Sequence, residues 1–167
     1  MLIENGRFYF ISNEFIKKYG TKYNLMENKE TGNKRPCYFC FKDKTNENII
    51  WFVPISKQYE KYKCIYENKK NKIHREPLNF VFGTVKDEKA VFLIQNMFPT
   101  LSKYITEKYQ VKNNDITISN PLQKEIIGKA ENILRLEKQG IHIAFSNLTN
   151  FKNELLNNIK KNMAEIH

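Results

Sequence analysis

Glycine is scarce: the chain has six, scattered singly, so it lacks the glycine-rich loop that cradles phosphates in nucleotide-binding folds. The three histidines form no H-E-x-x-H, and no paired aspartate motif is present, which removes the usual ligands of a metal-dependent nuclease. Three cysteines are an odd number and suit a reducing compartment where thiols stay free. Cys37 and Cys40 do form a C-x-x-C inside "RPCYFCF". A strand there would point residues three apart to opposite faces, and no second Cys or His pair stands at ligand spacing, so no zinc or redox site is expected. No apolar run approaches the roughly 20 residues that span a bilayer. The opening "MLIENGRFYF" also lacks the charged-then-apolar order of a signal peptide. A cytoplasmic protein with no membrane contact and no cofactor is the expectation.

The 167 residues, 41% hydrophobic and 13% aromatic, are enough for one domain over 1–167 with its own core and too few for two comfortable ones. Lys and Arg exceed Asp and Glu by 28 to 18, a formal charge of +10, and such a field attracts nucleic acid or anionic lipid. The chain is also crowded with Lys, Asn and Ile together. An AT-rich genome produces that bias in any protein, so part of the charge has a reading with no function in it.

Along the chain, "RFYFI" (7–11) reads as a strand, and "SNEFIKKYG" as a brief helix capped by Ser12 or Asn13 and ended by Gly20. Residues 21–34 are rich in turn formers and read as a surface loop. "RPCYFCFKD" and "NIIWFVPIS" make one hairpin around "KTNEN", and "LNFVFGTV" and "KAVFLIQ" a second around "KDE". Leu101, Ile105 and Tyr109 stand at helical spacing, and "DITIS" resembles a short closing strand. Asn120 and Pro121 begin the clearest helix, with Leu122, Ile126, Ala130, Ile133 and Leu134 on its stripe and Gly140 past its end. A last helix puts Leu148, Phe151, Leu155 and Ile159 on one face and leaves Lys152, Lys160 and Lys161 exposed. Strands come first and helices later, which predicts an α+β domain on an antiparallel sheet.

Between Lys57 and Arg75 lie seven basic residues (Lys57, Lys61, Lys63, Lys69, Lys70, Lys72, Arg75) against Glu60 and Glu67, with Tyr59, Tyr62 and Tyr66 interleaved. Lysines that neutralise phosphates and tyrosines that stack on bases suit single-stranded RNA; a solvated edge whose tyrosines snorkel has the same composition. His74 in "KNKIHRE" shares the basic context but also reads as a loop residue; His142 in "IHIAF" reads as a core residue; His167 is terminal. If "KTNEN" is a hairpin, Arg35 and Ser56 emerge at one end of the sheet with Lys57. A hydroxyl and fixed cations there suffice for RNA cleavage, because the substrate brings its own 2'-hydroxyl nucleophile. Only a lysine of depressed pKa would serve as base. A serine that simply ends a strand beside a lysine is the competing reading.

Four segments in order, "RFYFIS" with its short helix, "RPCYFCF" leading to "WFVPIS", "FLIQNMFP", and "PLQKEIIGKAENILRLEKQG" before "IAFSNL", resemble the toxin endoribonucleases of type III toxin-antitoxin systems. This is the ToxN, AbiQ and TenpN group, and the CptN branch is nearest. The resemblance spans most of the chain and implies a twisted antiparallel sheet like the barrel core of MazF and Kid, with added helices, a long one near 121–139 and a C-terminal one. It implies metal-independent, sequence-selective RNA cleavage to a 2',3'-cyclic phosphate. It also implies inhibition by a repeated pseudoknot RNA antitoxin that the toxin itself processes, a ring-shaped protein–RNA assembly, and cellular and phage RNA substrates, as in abortive infection. By position Ser56 matches the family's hydroxyl residue after the third strand. Many relatives carry a second hydroxyl where Lys57 stands, so Lys61 and Lys63 are rivals for the catalytic lysine. Arg35, or Lys34, matches a basic residue before the second strand, and Asn96 a polar residue that orients RNA. Lys69, Lys70, Lys72, Tyr66 and His74 complete the expected RNA track. A basic RNA-binding module without catalysis, and a MazF-like toxin opposed by a protein antitoxin, are the alternatives.

Overall fold

In the computed structural model, which describes residues 2–26 and 37–164, the aromatic and β-branched runs of the first half pair into one antiparallel sheet. Strand β1 (Phe8–Ile11) leads into helix α1 (Asn13–Tyr19), whose N-cap Ser12 accepts from Phe15 N–H through Oγ; such a cap contributes about 1 kcal/mol. β2 (Tyr38–Lys42) and β3 (Ile50–Ser56) form the first predicted hairpin, in the register Tyr38↔Pro54 through Lys42↔Ile50. After helix α2 (Tyr59–Ile73), β4 (Phe80–Val85) and β5 (Glu88–Leu93) form the second. Its turn is Lys86–Asp87, both at positive φ (53° and 62°), which matches the twist of the flanking strands.

The chain then runs through a 3-10 turn (Ile94–Asn96), β6 (Phe98–Thr100), β7 (Ile105–Lys108) and the small ladder β8 (Gln110–Val111) with β9 (Asn114–Asp115). Helices α3 (Asn120–Lys138) and α4 (Leu148–Ala164) close it, near their predicted bounds. The sheet order is β4-β5-β3-β2-β1-β7, with β6 continuing the line of β5 along β3.

Three local expectations are corrected. The stretch around Leu101, Ile105 and Tyr109 is a 3-10 turn and a strand paired with β1, not a helix; its β-branched Ile105–Thr106 pair suits a pleated edge, and that pairing outweighs the spacing. Only Asp115 of "DITIS" is in a strand, while Ile116 and Ile118 are buried without a ladder. Lys152 is not free in solvent, because its ammonium lies 2.7 Å from Asp43.

The core is aromatic. Phe15 meets Tyr19, Phe98, Tyr104 and Phe151 at centroid distances of 5.0 to 5.9 Å, and such pairs each add about 0.5–1.5 kcal/mol beyond the area they bury. On the other face of the sheet Phe8, Phe39 and Phe92, from β1, β2 and β5, touch one another. Strands that are not neighbours share these contacts, so the sheet is strongly curled. α3 covers it where Gly83 admits Leu122: a Cβ at Gly83 would stand 2.5 Å from a Leu122 methyl.

Two buried carboxylates tie loops to helices. Asp43 accepts from Trp51 Nε1 (2.8 Å), Lys152 Nζ (2.7 Å) and the Thr45 and Asn46 amides. Burial works against its charge, but the bonds from Lys152, Thr45 and Trp51 outweigh it and hold the carboxyl at about 2. Glu137 in α3 accepts from Leu148 N–H at 2.8 Å and so caps α4. His142 meets the other Glu137 oxygen at 3.2 Å with its own ring 58% exposed, so it is a surface partner rather than a core residue.

Candidate RNA-cleaving site

At the end of β3, Ser56 is half-buried and its Oγ accepts from Gln58 N–H at 3.1 Å. In that bond Oγ is the acceptor, so the hydroxyl keeps its own proton to donate. Lys57 is exposed and meets Glu88 of β5 at 2.5 Å. That carboxylate raises the Lys57 pKa, so the ammonium keeps its proton and acts as a charge, not as the base that a depressed lysine would be. The ion pair is more than 60% exposed on both sides, and exposed pairs of this kind are weak and open to competition from a phosphate.

The curl of the sheet supplies what lies opposite. Lys86 sits in the β4–β5 turn at one sheet edge and Tyr109 just past β7 at the other, yet Lys86 Nζ donates to Tyr109 Oη at 3.4 Å and lies 5.6 Å from the ring centre. Tyr109 is braced edge-on by Phe10 at 5.6 Å. Cys37, immediately before β2, lies within the fields of both Lys86 and Lys57; burial pushes its thiol up to about 11 against their pull, so it is not a thiolate nucleophile. The two edges of the sheet therefore meet at one rim that carries Lys57, Glu88, Lys86 and Tyr109; Ser56 ends β3 beside it, paired with Val91 on the face that α2 covers. Lys86 and Tyr109 escaped the sequence reading. The "KDE" turn signal marked the position of Lys86, but nothing local reveals that it faces the end of β3.

The lysine–tyrosine track is helix α2. Tyr59, Tyr62 and Tyr66 share one helical face and pack on Phe80 and Phe82 of β4, with centroids 5.2–5.3 Å apart. Their rings hold the helix to the sheet instead of offering faces to bases, Tyr66 included; Lys129 covers Tyr66 at 5.8 Å. The cations stand outward: Lys61, Lys63 and Lys72 are exposed, Lys69 is half-exposed, and Lys70 is drawn to Glu76 at 2.5 Å. His74 ends the helix at φ 52°, exposed. Asn96 lies on the 3-10 turn beyond β5. The register Ser56↔Val91 runs β5 away from the rim, so Asn96 is separated from Ser56. Arg35 and Lys34 lie outside the described residues. Among the described residues no three His, Cys, Asp or Glu side chains gather as a metal site, and no helix is long and apolar enough to cross a membrane.

The described residues thus form a curled antiparallel sheet with two closing helices and a cationic rim. The chain has the fold of AbiQ, a lactococcal anti-phage endoribonuclease of a type III toxin-antitoxin system: TM-score 0.62, 15% identity, over 94% of this chain and 99% of that one. A second solved structure, from work on bacterial type III systems and selective toxin inhibition by a non-coding RNA pseudoknot, aligns at TM-score 0.46 and 17% identity over 95% of this chain and 77% of that one. No protein-family model and no curated protein matches the chain in sequence.

Proposed function

We propose that the chain is the endoribonuclease toxin of a type III toxin-antitoxin system, cutting RNA at the Ser56 rim. The observation that carries this reading is the cationic rim of Lys57 and Lys86, brought from separate parts of the chain to the end of the strand that Ser56 closes, on the fold shared with AbiQ. In the reaction the substrate's 2'-oxygen bonds to phosphorus as the bond to the 5'-oxygen breaks, leaving a 2',3'-cyclic phosphate. The 2'-proton passes to a base, and the 5'-oxygen takes up a proton as it leaves. Ser56 donates to a non-bridging oxygen, and Lys57 and Lys86 balance the charge that develops there. Glu88, beside Lys57, is the proton acceptor we assign. Arg35 remains part of the proposal as a further cation from the segment before β2. The outward lysines of α2 hold the strand, and no step calls for a metal.

The partners follow from the resemblance: a pseudoknot RNA antitoxin on the same cationic surface, a closed protein–RNA assembly, and cellular or phage RNA as substrate in the cytoplasm. Expression without the cognate RNA should arrest bacterial growth, and Ser56→Ala should relieve the arrest, with cleavage by purified protein falling ~10²–10³-fold. A host indifferent to the unmodified protein favours the non-catalytic binding module. A small protein gene upstream, in place of a tandem nucleotide repeat, favours the MazF-like alternative.

A further inference from the structure

α2 carries the cationic track away from the Ser56 rim: at about 1.5 Å per residue its length is about 22 Å. A groove of about 440 Å³ lies at its far end, against the loop before β4 and the C-terminal part of α3. Lys69, Arg75, Arg135 and His142 border it, and Asn79 and Asn132 bring amide groups. Ile73, 41% exposed, offers an apolar wall. The one carboxylate on its lining, Glu76, is engaged by Lys70 at 2.5 Å.

The groove is held from several sides. Arg135 donates to Asn132 Oδ1 at 2.6 Å, and Asn79 donates to Gln95 Oε1 at 3.0 Å. The Gln95 carbonyl accepts from Phe145 N–H at 2.8 Å, which ties down the loop that carries His142. Lys69 lines the groove and also, with Lys72, the outward face of α2. The cationic outer face of α2 therefore reaches the groove.

Guanidinium forks suit phosphate oxygens, amides suit base edges, and an apolar wall suits a base's face. We infer that this groove is a distal subsite for single-stranded RNA, holding the strand several nucleotides from the phosphate at the Ser56 rim. The inference rests on the endoribonuclease reading and adds where length and sequence selectivity arise: a substrate that reaches the groove gains affinity that a short one cannot.

The test compares single-stranded RNAs of about four and about twelve nucleotides, by fluorescence anisotropy and by cleavage. The proteins are the unmodified chain and the double variant Arg75→Ala/Arg135→Ala, with Arg135→Glu as a second variant and thermal melts to verify folding. The double variant should bind the long RNA at least ~tenfold more weakly near 0.1 M salt. Its slope of log affinity against log salt should shrink by about 1.4, the value for two lost phosphate contacts on a single strand. Binding and cleavage of the short RNA should not change. Equal losses for both lengths, or none for either, overturn the inference. If the unmodified protein cuts neither RNA, yet grips the long one through these arginines, the endoribonuclease reading falls and the groove stands as an RNA site.

Discussion

Replacing Asp43 with asparagine tests the buried anchor between the β2–β3 turn and α4. Its side chain is 6% exposed, and its carboxyl is held at about 2 against an ordinary 3.8. At about 1.4 kcal/mol per unit, the bonds that favour the charged form contribute about 2 kcal/mol at neutral pH. The folded pKa is depressed, so this stability is fully present above pH ~4 to 5 and is lost as pH falls through about 2. Asparagine mimics the protonated acid: its carbonyl still accepts from the Thr45 and Asn46 amides, but its NH₂ cannot accept from Trp51 and Lys152. Asp43→Asn should therefore lower the urea midpoint by about 1 M at pH 7, for a slope near 2 kcal/mol per M. The gap to the unmodified protein should close as both are titrated from pH 5 toward pH 2. A gap that stays constant down to pH 2, or one within error at pH 7, would refute the argument that these bonds hold the charge.

Glu88→Gln removes the carboxylate beside Lys57, so RNA should bind more tightly while cleavage slows; faster cleavage would deny Glu88 a role in proton transfer. Because that ion pair is exposed on both sides, the melting temperature should not move. Tyr62→Ala strips the contact with Phe80 at 5.3 Å and should cost about 2 kcal/mol. Loss of hydrogen-exchange protection confined to α2, with the β2–β3 amides intact, is the expected pattern, and uniform loss would contradict it. Glu137→Ala uncaps α4 and should destabilise by about 1–2 kcal/mol in denaturant unfolding, whereas Glu137→Gln, which keeps an acceptor for Leu148 N–H, should cost less.

The hairpins were legible because alternation and turn residues are local signals, and β2–β3 and β4–β5 each close within their own stretch of chain. α3 and α4 were legible from Ile126, Ala130 and Ile133, and from Leu148, Phe151 and Leu155, aliphatic and aromatic stripes at helical spacing that are buried as expected. α2 was not, because the stripe it lays on the sheet consists of three half-buried tyrosines among lysines and the side chain of its N-cap Gln58 makes no capping bond. Those tyrosines have the same spacing whether they pack on a sheet or stack on RNA, and only the presence of Phe80 and Phe82 decides it. At the site, Ser56 and Lys57 are adjacent in sequence and could be read together. Lys86 and Tyr109 come to the Lys57 side of the end of β3 only through the curl of the sheet, a property of the sum of strand twists that no short window encodes.

That curl also sets the order in which the molecule should fail. Lys86 and Tyr109 belong to opposite borders of the same β-layer and meet without a covalent or ladder link between those borders. A slight loosening of the layer, by heat or mild urea, would part them while every strand stayed hydrogen-bonded to its neighbour. RNA cleavage should accordingly vanish at a lower temperature than the far-ultraviolet circular dichroism signal, and the seam between those borders would be the first part of the fold to open.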